Sequence, residues 1–108
     1  MRLFKNHTAQ ALFAIAVLGS LHNVAQPNEA LARKSDCFGC HSVASKLVGP
    51  AYKEVPAKYA GQADALEQVQ NSIRNGGAGK WGETPMPPNP KRSAADVKKL
   101  ATWVLGLK

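Results

Sequence analysis

The sequence predicts an all-α fold, a small single domain of helices joined by long loops. Three observations lead to it. Apolar residues recur at helical spacing in two stretches, residues 64–75 and 93–107. No stretch shows the apolar–polar alternation of a half-buried strand, and there is no internal repeat. The segments between the helical stretches are rich in Gly and Pro, which interrupt both regular structures.

Taken in order, residues 1–25 read as a secretory signal that is cleaved, leaving 26–108 as the domain. Arg2 and Lys5 give the positive start, and residues 9–18 are almost continuously apolar. That stretch is too short to span a bilayer, which takes about 20 apolar residues. Ala25 follows Asn23, which fits the small-x-small pattern poorly, whereas Ala30 and Ala32 match it better, so local pattern alone does not fix the cut.

A short helix follows over 28–34, where Ala30, Leu31 and Arg33 all tolerate helical backbone. Residues 47–56 hold Gly49, Pro50 and Pro56 and are expected to be mostly loop, with at most one helical turn around 51–55. Leu66, Val69, Gln70 and Ile73 set the next helix, with Asp64 as its expected cap and Asn75-Gly76-Gly77 as its stop. Residues 76–89 are Gly-rich and then Pro-rich, with no period, yet contain Trp81 and Met86. The last helix is the strongest: Ser93 with Asp96 resembles a capping box, and Val97, Leu100, Ala101, Val104 and Leu105 share one face.

A domain this small has a thin core and usually needs a disulfide, metal or cofactor to stay folded. Its charge is basic. Of 14 Lys and Arg, Arg2 and Lys5 lie in the leader; the rest still exceed the 7 Asp and Glu and leave +5. The charges are scattered and not interleaved with aromatics, which argues against nucleic acid and suits encounter with an acidic partner or surface.

The residues that decide the chemistry are Cys37-Phe38-Gly39-Cys40-His41. Two thiols three residues apart on one helical turn match the two vinyl groups of a porphyrin, and the next histidine supplies an axial ligand to its iron. Three other uses of the same residues remain to be weighed. A structural zinc site needs four ligands, and no further Cys or His follows the leader, apart from His22 if it is retained. A redox dithiol lacks the βαβ setting usual for that chemistry. A plain structural disulfide is awkward at this spacing.

Haem attached at Cys37 and Cys40 with His41 on the iron leaves one axial position to fill. Met86 is the only methionine besides Met1, and it sits between prolines in Thr84-Pro85-Met86-Pro87-Pro88-Asn89. As a residue type it fits equally a gap in a core. Prolines on both sides restrict the backbone and suit a fixed Met/His-ligated iron, which has no open site for substrate.

These motifs together resemble class I c-type cytochromes, most nearly the small bacterial cytochrome c-551 (c8) family. The resemblance spans residues 29–108 and rests on Cys37–His41, on Val-Gly-Pro-Ala-Tyr-Lys at 48–53, on Trp81-Gly82, on Pro-Met-Pro-Pro-Asn at 85–89 and on Trp-Val-Leu at 103–105. It implies the cytochrome c fold, with first and last helices crossing and loops wrapped around one covalent haem c whose iron cycles between Fe(II) and Fe(III). Leu31, Phe38, Val97, Leu100, Ala101, Trp103 and Val104 would pack it. The first helix of the family begins where Glu29 stands, which places the cut near Ala25.

By the same resemblance the Pro50 carbonyl accepts from the Nδ1 side of His41, the Trp81 indole holds a haem propionate, and Asn89 turns its amide to the Met86 sulfur. Relatives often carry a basic second propionate partner where this chain has Ser72, leaving Arg74 as a substitute. Lys34, Lys46, Lys53, Lys58, Lys80 and Lys91 are candidates to ring the haem edge. The implied role is that of a monomeric periplasmic electron carrier, not an enzyme. Its partners would be a membrane cytochrome complex and a nitrite reductase, oxidase or peroxidase, with no stable membrane insertion after cleavage.

Overall fold

The computed structural model describes Gly19 and residues 27–108, so the expected leader, 1–25, lies outside the described residues apart from Gly19. Four α-helices form: α1 Pro27–Lys34, α2 Val55–Lys58, α3 Ala65–Asn75 and α4 Ala94–Leu105, with 3-10 turns at Cys37–Gly39 and Tyr52–Glu54. Among the described residues there is no strand, only an isolated antiparallel bridge between Gly77 and Met86. The all-α expectation holds.

Helix α1 opens on Pro27, whose missing N–H costs nothing in a first turn. Glu29 near its start and Arg33 and Lys34 near its end complement the helix dipole, and Arg33 pairs with Glu29 at 2.7 Å. Residues 52–58 are more helical than expected, because Pro56 falls in the first turn of α2 and starts a helix there instead of breaking one.

Helix α3 begins at the expected place without the expected cap. The Asp64 carboxylate accepts no backbone N–H of the first turn; its Oδ1 takes the Gln68 side-chain amide at 2.8 Å. The helix ends at Gly76, whose φ of 68° is left-handed and favours glycine. Helix α4 has a true cap, since the Asp96 N–H donates to the Ser93 hydroxyl at 3.1 Å.

Helix α4 packs against both α1 and α3 and is the axis of the core. Val97 and Ala101 are 0% exposed, and Leu100, Trp103 and Val104 are also buried. Ala32 of α1, Val69 of α3, and Ala51, Tyr52, Val55 and Tyr59 complete the buried hydrophobic set, while Leu31 and Phe38 are partly buried against it. The packing residues implied by the resemblance therefore sit where expected. A large cavity lies between this helical core and the loops.

Candidate functional site

The cavity measures about 780 Å³, within the usual range for a bound organic molecule. Ala32, Val69, Leu100, Trp103 and Val104 give it an apolar wall, and Cys37, Cys40, His41 and Met86 all line it. The sequence places these four in two segments far apart in the chain. The fold brings them to one space.

The first segment is built by a tight turn. Asp36 adopts a left-handed φ of 61°, uncommon for a side-chain-bearing residue but tolerated by Asp, and the chain turns from α1 into the 3-10 turn. The Cys40 and His41 N–H groups both donate to the Cys37 carbonyl, at 3.2 and 3.0 Å, so the two cysteines occupy one helical turn. Both thiols are free and half-buried. Burial pushes the Cys37 thiol above its ordinary value, favouring the neutral S–H.

His41 is held on three sides. Its Nδ1 lies 2.8 Å from the Pro50 carbonyl oxygen, the contact implied by the resemblance. A carbonyl only accepts, so Nδ1 carries the hydrogen and Nε2 keeps the lone pair, the tautomer a metal needs. One ring face stacks on Tyr52 at 4.8 Å and 21°. Tyr52 in turn meets Phe38 and Trp103 edge-on, at 5.7 and 5.2 Å, and burial pushes its phenol above the ordinary value, with Cys37 and Cys40 adding to the effect. Gly49 closes the remaining side: a Cβ there would strike Cε1 and Nδ1 of the imidazole.

Backbone bonds fix this segment as a unit. Gly49 N–H donates to Cys40 at 2.8 Å, Tyr52 to Ser42 at 2.9 Å and Lys53 to Val43 at 3.0 Å. Sequence reasoning identified Gly49 only as part of a motif and Tyr52 not as a site residue at all. Their signal was there in proximity to Pro50, but close approach to the ring of His41, eight and eleven residues away, shows only in three dimensions.

Met86 reaches the cavity from the second segment. Gly77 and Met86 exchange two backbone bonds, 3.1 and 2.8 Å long, and Gly76 must lack a Cβ because one would strike the Met86 carbonyl. The Asn89 amide, expected at the Met86 sulfur, gives one of its two N–H groups to the Ile73 carbonyl at 3.1 Å, and its backbone N–H points to the Ile73 and Arg74 carbonyls at 3.1 and 3.2 Å. The last carbonyls of α3 lack helical partners, and Asn89 satisfies them while anchoring the loop that carries Met86.

Trp81 and Ser72 line the cavity; Arg74 is exposed and does not. Lys34, Lys46, Lys53, Lys58, Lys80 and Lys91 are all exposed, and of these Lys46 and Lys80 border the cavity. Leu47 and Val48, half or more exposed, lie beside Lys46 on its rim.

The donor set suits a porphyrin iron. Two thiols, one imidazole and one thioether lining one largely apolar cavity are the residues that would attach a porphyrin and hold its iron. Zinc fits less well: among the described residues no three His, Cys, Asp or Glu gather to hold a metal ion. Nor is any helix among them long and apolar enough to cross a membrane.

Comparison with known proteins agrees with the geometry. The family model described as Cytochrome c matches residues 25–108. Cytochrome c-551 of Allochromatium vinosum is 54% identical over 77 residues, covering 71% of this chain and 82% of that protein. Cytochrome c-552 of Hydrogenobacter thermophilus is 44% identical over 94 residues, 87% of this chain and 94% of that one. The crystal structure of wild-type Nitrosomonas europaea cytochrome c552 superposes with a TM-score of 0.71 at 49% identity, covering 74% of this chain and 99% of its own.

Proposed function

The chain belongs to the cytochrome c family, small electron carriers with covalently attached haem c, and on that premise we propose that it is a periplasmic one-electron carrier with His/Met-ligated iron. Cys37 and Cys40 would hold haem through thioether bonds, and His41 Nε2 and Met86 Sδ would bind its iron. The observation that carries this reading is the Pro50 contact, which fixes His41 as the Nε2 donor on a ring lining the same cavity as Met86.

Bound haem supplies a one-electron Fe(II)/Fe(III) couple. The protein's residues set its terms. Tyr52 and Pro50 hold the imidazole in one orientation, so the His41 side does not reorganise when charge changes. The Met86 thioether, a poorer donor than a second imidazole, favours the reduced state and raises the potential. With both axial positions taken by protein, no site is left for substrate, which is the condition of a carrier. Trp81, on the cavity wall, donates its indole N–H to a propionate, and Asn89 acts on Met86 by anchoring its loop to α3.

Residues 1–25 direct export and are removed, and 26–108 work as a monomer. Leu47 and Val48, flanked by Lys46, offer an apolar contact with a basic border to redox partners: a membrane cytochrome complex on one side and a nitrite reductase, oxidase or peroxidase on the other.

Absorption spectra of the exported protein test the assignment. The oxidised form is expected to show low-spin bands and the weak near-infrared band of sulfur-to-iron ligation. Met86→Ala removes that band and lets the reduced protein bind carbon monoxide rapidly; persistence of the band in the variant overturns the ligand assignment.

A further inference from the structure

We propose that two crossed lysine–aromatic pairs clasp the Met86 loop to α2 and α3, and that this clasp governs how often Met86 leaves the iron. The proposal rests on Met86 being the axial ligand. It concerns Lys58, Tyr59, Lys80 and Trp81.

The Gly77–Met86 bridge closes the loop 77–86 at its base. That base does not lengthen into a ladder: the next bonded position toward α3 is Pro88, which has no N–H to give, and toward the tip the Gly79 N–H is already given to Gly82. A one-rung stem leaves the loop dependent on its other end. There the Gly79 N–H donates to Gly82 at 2.8 Å, folding the tip that carries Lys80 and Trp81.

The tip meets the C-terminal end of α2, where Lys58 and Tyr59 are adjacent. Lys58 Nζ lies 5.1 Å from the centroid of Trp81, and Lys80 Nζ lies 4.4 Å from that of Tyr59. Each segment thus gives one cation and one ring to the other. Lys80 also donates to Gln68 Oε1 of α3 at 2.6 Å, so its ammonium is fixed to both helices. Because the pairs are crossed, lifting the tip breaks both cation–π contacts and the Gln68 bond together. Both lysines are solvent-exposed, with their ammonium groups placed over aromatic rings.

Stopped-flow carbon monoxide binding to the reduced, haem-loaded protein reads the opening, since the ligand enters only while Met86 is away. Lys58→Gln and Lys80→Gln are each expected to raise the rate about threefold, and the double variant roughly tenfold, as expected for loss of exposed cation–π contacts. Lys58→Arg and Lys80→Arg retain the charge and are expected to stay near the parent rate. Lys98→Gln, an exposed charge on α4 remote from the loop in sequence, controls for net charge and is expected to change nothing. An unaltered rate in the double variant overturns the clasp, as does an equal rise in Lys98→Gln or failure of the arginine variants to hold the parent rate. Failure of the ligand reading looks different: the parent protein itself would lack the sulfur-to-iron band and bind carbon monoxide at once.

Discussion

Replacing Gly49 by alanine isolates one contact of the His41 setting. Gly49 does not adopt a left-handed φ, so alanine meets no backbone penalty there, and the only obstacle is the imidazole its Cβ would strike. The ring is stacked on Tyr52 and held at Nδ1 by Pro50, so it moves only by giving up one of these. Overpacking costs about 1–3 kcal/mol, and the lost hydrogen bond adds about 1 kcal/mol. Together they suggest a destabilisation of about 3 kcal/mol, or roughly 12–24 °C in Tm for a domain of this size. Thermal unfolding of the haem-loaded variant, followed by far-UV circular dichroism, measures it. Parent-like stability with unchanged low-spin bands would refute the claim that His41 is sterically confined. A comparable loss in Gly82→Ala does not bear on that claim, because Gly82 sits at φ 120° with no neighbour near its Cβ and would suffer from backbone strain alone.

The other predictions concern capping and titration. Ser93→Ala is expected to cost about 1 kcal/mol in denaturant unfolding, because it removes a formed N-cap. Asp64→Ala should cost no more than about 0.5 kcal/mol, since only an exposed side-chain pair with Gln68 is lost; equal losses in both would contradict the difference in capping. Burial raises the Tyr52 phenol, so it should remain un-ionised at about pH 11, where an unperturbed tyrosine is mostly phenolate. An ultraviolet titration of Tyr52→Phe should then overlay the parent up to that pH, and a smaller phenolate rise in the variant would refute the burial argument. The linked stability has a definite sign. It is fully present below the unfolded tyrosine value near pH 10 and is lost as pH rises beyond it, because the unfolded chain releases a proton that the folded one retains.

Much of the site was legible because its chemistry is local in sequence. Cys37, Cys40 and His41 share one turn, and their spacing states their use. Met86 was legible by elimination, as the only methionine outside the leader. What stayed hidden depends on contacts between distant segments. Tyr52 reads as an ordinary motif tyrosine until it is seen stacked on His41. Asn89 carries two amide donors, and only the proximity of the last α3 carbonyls shows that one of them anchors the Met86 loop to that helix. Pro56 was misjudged for a simpler reason: proline ends a helix from inside and begins one from its first turn, and the sequence pattern alone did not say on which side of the boundary it lay.

The two sides of the site are held by different physics, and this bears on how a small carrier functions. His41 lies four residues after Cys37, within a segment cross-tied by backbone bonds from 40 to 53 and backed by the buried Tyr52 and Trp103. Loosening it means disturbing the core, so its free energy of opening approaches that of global unfolding. Met86 hangs on a one-rung bridge, the Asn89 anchor and surface contacts at the loop tip. Those contacts break without exposing the core. The weaker side is therefore the thioether side, and local opening there precedes any change at the imidazole. On the proposed reading, haem would stay attached and bound to His41 while the Met86 loop sets how closed the iron is.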